Sequence, residues 1–173
     1  MNRTIIKQIG CSLDQSEYRM FMLPKGVMVT IDQKTLRVSK GLPEILDYTY
    51  DISDPNQTVH IKEIDTHITF SLLKVLPKSF MSHSNYCFLS YVPEMFPLRL
   101  RTRKPGDQII PYGSSKKTTL KRYFINQKIP KLIRDSKFLL TKGADILWVP
   151  GYHTSALYKA RKDVSVLKVE VRQ

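Results

Sequence analysis

Cysteine is nearly absent from this sequence: Cys11 and Cys87 are the only two in 173 residues. With no Cys-x-x-Cys spacing they offer neither a disulfide framework nor a structural zinc site, and both read as packing residues. That usage fits a reducing compartment, and a cytoplasmic location is expected. No apolar run reaches the ~18 residues of a membrane-spanning helix, and the opening MNRTIIKQIGC lacks the unbroken apolar segment of a signal peptide, so no membrane partner is expected. The seven glycines never stand side by side, and neither Gly-x-x-x-x-Gly-Lys-Ser/Thr nor Gly-x-Gly-x-x-Gly occurs. The usual phosphate-cradling loops of a self-contained nucleotide enzyme are therefore missing. His60, His67, His83 and His153 are scattered, none beside a Cys or His at metal-ligand spacing. Asp47, Asp51 and Asp54 lie among turn residues and read as solvated loop acids rather than a catalytic pair. No residue of the chain is assigned a catalytic role, and no metal or cofactor is expected in it.

What the sequence does have is charge of one sign in one place. Its formal net charge is +13, yet residues 1 to 98 carry ten Lys/Arg and ten Asp/Glu, whereas residues 99 to 137 carry twelve against two. Such asymmetry points to a polyanion, nucleic acid before membrane, touching the C-terminal half. Within that segment Arg99, Arg101 and Arg103 occupy every second position. On a β-strand they would share one face at about 6.6 Å spacing, with Leu98, Leu100 and Thr102 on the other. Lys104-Pro105-Gly106-Asp107 then reads as a type II turn that ends the strand. Downstream, Gly113 to Arg122 (GSSKKTTLKR) sets hydroxyls and cations ahead of a helix start, a composition suited to phosphate oxygens. The competing structural readings are a solvated basic loop with capping threonines, and arginines that pair with Asp107 or Asp135. The candidate nucleic-acid-binding residues are Arg99, Arg101, Arg103, Lys104, Lys116, Lys117, Lys121 and Arg122, with Lys128, Lys131 and Arg134 extending the same region. Tyr123 and Phe124 read as core, so backbone or shape recognition of structured RNA is favoured over stacking of single-stranded bases.

The patterning predicts an α+β protein. Asp14 or Ser16 is placed to cap a short helix carrying Tyr18, Phe21 and Met22, and Ile5, Ile6 and Ile9 also have helical spacing. Val27 to Ile31 and Thr35 to Ser39 read as a hairpin, and Val59 to Ile61, Ile68 to Leu72 and Tyr86 to Val92 as further strands. This makes residues 1–96 a strand-rich, charge-neutral domain with an antiparallel sheet. The two-proline stretch VPEMFP, at the change in charge, is the expected junction to a basic α+β domain over 97–173. There, Leu120, Tyr123 and Phe124 form the apolar stripe of a short helix that Ile129-Pro130 ends, a second short helix runs to about Ser136, and strands follow at Phe138–Leu140, Ile146–Val149 and Val164–Val171. Trp148, inside an apolar run, is expected to be structural.

In order, Arg101-Thr102-Arg103-Lys104-Pro105-Gly106-Asp107, Pro111-Tyr112-Gly113, Leu120-Lys121-Arg122-Tyr123-Phe124, Ile129-Pro130, Arg134-Asp135 and Ile146-Leu147-Trp148-Val149-Pro150-Gly151 resemble the C-terminal region of bacterial tRNA(Ile)-lysidine synthetases. Leu23-Pro24-Lys25-Gly26 is similar to the start of that family's preceding domain. Two departures stand out: the family's lysine pair beside the helix leucine is displaced to Lys116-Lys117, and Arg122 stands where an acid is common. The resemblance implies that the last domain is similar to a module of phenylalanyl-tRNA synthetase and grips the tRNA body near its acceptor stem. It implies tRNA, above all tRNA(Ile), as partner, together with a catalytic N-terminal domain in cis or in trans. In the family that domain uses ATP and magnesium to make lysidine at the wobble cytidine and carries a Ser-Gly-Gly-x-Asp-Ser loop, a motif not found here. On this reading the chain is the non-catalytic, tRNA-binding part, inactive alone as a ligase. The alternatives are a stand-alone adaptor for structured RNA and, in a third class, an enzyme using His60 or His67 with loop carboxylates.

Overall fold

The computed structural model describes residues 19–32, 35–41, 46–77, 85–111, 114, 116–129 and 131–172. Ile5, Ile6, Ile9, Cys11, Asp14, Ser16, Tyr18, His83, Gly113 and Pro130 lie outside the described residues. The chain divides into two compact units, residues 1–45 and 46–173.

In the first unit β1 (Arg19–Leu23), β2 (Val27–Asp32) and β3 (Thr35–Lys40) form an antiparallel sheet in that order. The expected β2–β3 hairpin is present, pairing Val29 with Val38 and Ile31 with Leu36. The expected helix through Phe21 and Met22 is not: both lie on β1, facing Val29 and Met28 of β2. The Met20-Phe21-Met22-Leu23 run meets a β-branched neighbour across the sheet, and that pairing overrides the helical spacing. A turn at Pro24–Gly26, with Lys25 and Gly26 at φ 65° and 71°, reverses the chain between them. The middle strand buries Met28, Val29 and Ile31.

The second unit begins with β4 (Thr49–Ile52), β5 (Thr58–Ile61), β6 (Thr66–Leu73), β7 (Tyr86–Ser90) and β8 (Leu98–Thr102). After β9 (Gln108–Ile109) and β10 (Thr118–Thr119) come two short helices, α1 (Leu120–Asn126) and α2 (Lys131–Ser136). The chain closes with β11 (Phe138–Lys142), β12 (Asp145–Val149), β13 (His153–Thr154) and β14 (Val166–Arg172). These strands make a five-stranded sheet, β13-β12-β11-β8-β4, a four-stranded sheet, β5-β6-β14-β7, and the small pair β9–β10, all antiparallel.

Both larger sheets send their apolar residues into one cluster. Ile52, Leu98, Leu100, Phe138, Leu140 and Trp148 come from the five-stranded sheet; Ile61, Ile68, Phe70, Cys87, Leu89, Leu167 and Val169 come from the four-stranded one. Each such side chain contributes about 1.5–3 kcal/mol by leaving water. Trp148 is 2% exposed and meets Phe138 edge-to-face at 6.0 Å. A bulge after Leu140 shifts the register, pairing Leu140 with Trp148 but Thr141 with Ile146. The skipped residue, Leu147, joins Trp148 in the same core instead of alternating away from it.

The junction expected at VPEMFP is corrected by the sheet pairing. β4 pairs with β8 across it, and β6 and β7 both pair with β14. Strands from either side of residue 96 share both sheets, so the boundary between compact units falls at 45/46. A change in surface charge does not mark a topological boundary.

Candidate nucleic-acid interface

Strand β8 has the two faces its alternation demands, but they are not one dry and one wet. Leu98 and Leu100 enter the inter-sheet core. On the opposite face Arg99 is exposed, its Nε donating to Asp51 Oδ1 of β4 at 2.6 Å, whereas Arg101 is only 7% exposed. Arg101 sits across from the fully buried Leu139 of β11. The strand ends at Thr102, so Arg103 lies beyond it.

The turn after β8 explains the burial. Asp107 N–H donates to the Lys104 carbonyl at 3.3 Å, and Gly106 has φ 87°, as the third position of a type II turn requires. The turn carries Asp107 back over Arg101, whose Nη1 and Nη2 donate to its two carboxylate oxygens at 2.9 and 2.7 Å; Nη1 also donates to the Thr102 carbonyl. Asp107 further accepts the Lys104 N–H at 2.8 Å, and its carbonyl accepts the Leu120 N–H at 2.7 Å. One residue thus fastens strand, turn and helix start. Arg103 Nη2 reaches Asp135 of α2 at 2.6 Å, both side chains being mostly buried. Arg134 donates through Nε to the Ile129 carbonyl. Arg101, Arg103 and Arg134 are therefore framework contacts; of the row of guanidiniums expected along the strand only Arg99 is exposed, and it is paired with Asp51.

The lysines are placed differently. β9 and β10 pair Ile109 with Thr118 and Gln108 with Thr119, closing a loop that holds Lys116 and Lys117. Thr119 then caps α1, its hydroxyl accepting the Arg122 N–H. Leu120 and Phe124 are buried on the inner side of α1, and half-buried Tyr123 donates its hydroxyl to the Tyr152 carbonyl, so these rings are core, as expected. Lys121 and Arg122 are on the outer face with Ile125, itself 49% exposed. Lys128 follows the helix at φ 53°. Lys104, Lys116, Lys121, Arg122 and Lys128 are exposed and have no acidic partner among the described residues; Lys117 is 3.6 Å from Asp145. Backbone bonds within residues 104–120 bring the turn lysine, the loop lysines and the helix cations to one corner of the unit.

The remaining candidates are accounted for by packing. Asp47 accepts the Thr102 hydroxyl, Asp51 holds Arg99, and Asp54 accepts the Asn56 N–H within its own turn. All three acids are exposed, as expected, although Asp51 stands on β4 rather than in a loop, and Asp47 and Asp51 each bond a β8 side chain. His60 and His67 stack across β5 and β6 at 4.2 Å, with His60 Nε2 against Asp65. His153 is buried beside the Ile110 carbonyl, and burial pushes its imidazole below the ordinary value. Among the described residues no group of three His, Cys, Asp or Glu is placed to hold a metal.

The competing structural reading of the sequence, in which the arginines pair with Asp107 or Asp135, is the one that holds for Arg101 and Arg103; what it did not foresee is that Asp107 also fastens the turn and the start of α1. The usable signal was an acid at the exit of a tight turn, six residues after a strand arginine.

Residues 98–171 match the protein family described as the TilS substrate C-terminal domain. The chain is 31% identical over 126 residues to a tRNA(Ile)-lysidine synthase of Persephonella marina, covering 72% of this chain and 28% of that protein. It is 26% identical over 137 residues to the one of Symbiobacterium thermophilum, covering 75% and 28%, and 44% identical over 63 residues to the one of Shouchella clausii, covering 36% and 13%. The chain thus spans little more than a quarter of these curated relatives at most. A solved structure, that of a TILS C-terminal domain, superposes with a TM-score of 0.58 at 24% identity, covering 72% of this chain and 97% of that one. The likeness is one of fold.

Proposed function

We propose that this chain, whose residues 98–171 are a substrate C-terminal domain of the tRNA(Ile)-lysidine synthase type, holds tRNA by its phosphates near the acceptor stem. In this reading it serves ATP-dependent lysidine formation at the wobble cytidine of tRNA(Ile), carried out by a catalytic domain acting in cis or in trans. The supporting observation is the set Lys104, Lys116, Lys121 and Arg122, with Lys128 beyond the end of α1, all exposed and without an acidic partner among the described residues, in a segment where cations outnumber acids twelve to two. Cations in that state neutralise phosphates and release counterions, whereas cations already locked to carboxylates do so poorly. Phosphate contacts of this kind fix the register and orientation of an RNA without reading its bases. Arg101 and Arg103 contribute by holding the corner in shape.

Titrating tRNA with the chain at several salt concentrations tests this. Four or five engaged phosphates give a slope of log affinity against log salt of about −3 to −5; a slope near zero, or no binding at low salt, refutes the reading. Adding the chain to a separately made catalytic domain is expected to restore lysidine formation. Intact tRNA binding without restoration would instead identify a stand-alone RNA-binding adaptor.

A further inference from the structure

Beside the cationic corner lies a cavity of about 520 Å³, lined by Phe96, Pro97, Arg99, Asp51, the β11–β12 hairpin turn Lys142–Asp145, and Tyr158. Its size falls within the range of small-ligand sites, and its composition differs from the surface around it. Phe96 and Tyr158 each bury part of their ring against the inter-sheet core, so they are fixed walls rather than mobile surface groups. The Lys142 ammonium lies over the Tyr158 ring, 5.8 Å from its centroid, and donates to the Glu94 carbonyl, so a base stacking on that face takes the place of the ammonium. Arg99 and Lys142 face Asp51 and Asp145, so the ionic lining is balanced while the adjoining segment is strongly cationic. Asp145 is also the partner of Lys117, which joins the pocket rim to the basic loop.

A phosphate gains little from a balanced pocket, but a nucleobase gains much. It presents a π-face to aromatic walls and both donors and acceptors at its edge, which carboxylates, guanidinium and ammonium complement. We propose that this cavity receives one unpaired, splayed nucleotide of the bound RNA, base against Tyr158 and Phe96, while its neighbouring phosphates lie on Lys116 and Lys117. The inference rests on the RNA-binding reading above and adds to its phosphate contacts a stacking site. Neither ring was visible as a pair in the sequence, since residues 96 and 158 meet only through the fold.

The test compares a blunt RNA duplex with the same duplex carrying a short single-stranded overhang containing 2-aminopurine. Wild-type chain should bind the overhang RNA about tenfold more tightly, in line with stacking of one base on an aromatic side chain, with a change in 2-aminopurine emission on binding. Tyr158→Leu, which keeps an apolar side chain on the core, should reduce the overhang affinity to that of the blunt duplex and leave blunt binding and its salt slope unchanged. Ala144→Phe, at an exposed position of the hairpin turn, should fill the cavity with the same result, and it carries the test if Tyr158→Leu lowers stability. Equal binding of the two RNAs by the wild type, or an overhang preference that survives Ala144→Phe, overturns the pocket assignment while leaving phosphate binding standing. Failure of both RNAs to bind refutes the RNA-binding reading and this inference with it.

Discussion

Removing the Asp107 carboxylate separates framework arginines from surface lysines. In Asp107→Ala, Arg101 loses two charge-assisted hydrogen bonds and the Lys104 N–H loses its acceptor. The Arg101 and Asp107 side chains are only 9% and 10% exposed, so water cannot replace the lost partner. Deleting one member of a buried ion pair costs about 3–5 kcal/mol. The Arg99–Asp51 pair, with side chains 52% and 62% exposed, is screened by solvent and contributes about 0–1 kcal/mol. At about 3–5 °C per kcal/mol for a unit of this size, Asp107→Ala or Arg101→Met should lower the melting midpoint by roughly 10–25 °C, and Arg99→Ala by about 5 °C at most. The assay is thermal melting followed by far-ultraviolet circular dichroism and Trp148 fluorescence, with tRNA titrations at several salt concentrations below the melt. Arg101→Met should keep the wild-type salt slope wherever it is folded. If Arg101→Met instead melts within about 2 °C of wild type and flattens the slope by about one unit, the guanidinium rests on a phosphate and the framework assignment is wrong.

Lys121→Ala combined with Arg122→Ala removes two exposed cations from the outer face of α1, and should flatten the salt slope by about two units with little change in melting; an unchanged slope would remove α1 from the interface. Trp148→Ala should cost about 3–5 kcal/mol through the cavity it opens beside Phe138, read as a lowered melting midpoint with the salt slope intact. Burial favours the neutral form of His153 and lowers its pKa, with the Ile110 carbonyl acting in the opposite direction. Its folded pKa is below the unfolded 6.5, so its contribution to stability is complete above pH 6.5 and is lost as pH falls through the folded pKa. Melting curves between pH 7.5 and 5 should lose part of their acid sensitivity in His153→Gln, and identical curves would contradict the assignment.

Local features of the fold were legible because they depend on neighbours in sequence. Alternation at Ile68 and Phe70, and at Leu98 and Leu100, marked strands whose apolar faces now meet in one core. The spacing of Leu120 and Phe124 marked α1, and the turn residues Pro105 and Gly106 marked the end of β8. What failed was non-local. Alternation assigns Arg101 to a face but does not say what covers that face, and Asp107, which covers it, was offered only in the competing reading, beside its place in the turn. The supposed junction at residue 96 failed for the same reason, since the pairing of Thr49–Ile52 with Leu98–Thr102 joins segments far apart in the chain. At β1, Phe21 and Met22 suited a helix by spacing, and only the presence of β2 alongside decides for a strand. The exposure of the lysines was legible, since they need no partner to be exposed; the free row of arginines was not, because their planar forks are well suited to buried carboxylates.

The order β5-β6-β14-β7 has a consequence in time. β14 is the last of these strands to be synthesised, yet it lies between β6 and β7 and pairs along the length of both. On the ribosome, until residues 166–172 have emerged, β6 and β7 each present an unpaired strand edge, the state in which one nascent chain can pair with another. The four-stranded half of the core, including Phe70, Cys87 and Leu89, closes only when Leu167 and Val169 arrive. Holding the chain on the ribosome before residues 166–172 have emerged should therefore leave this protein more exposed to aggregation than an equal hold after they have emerged, a difference that the timing of synthesis and release alone would control.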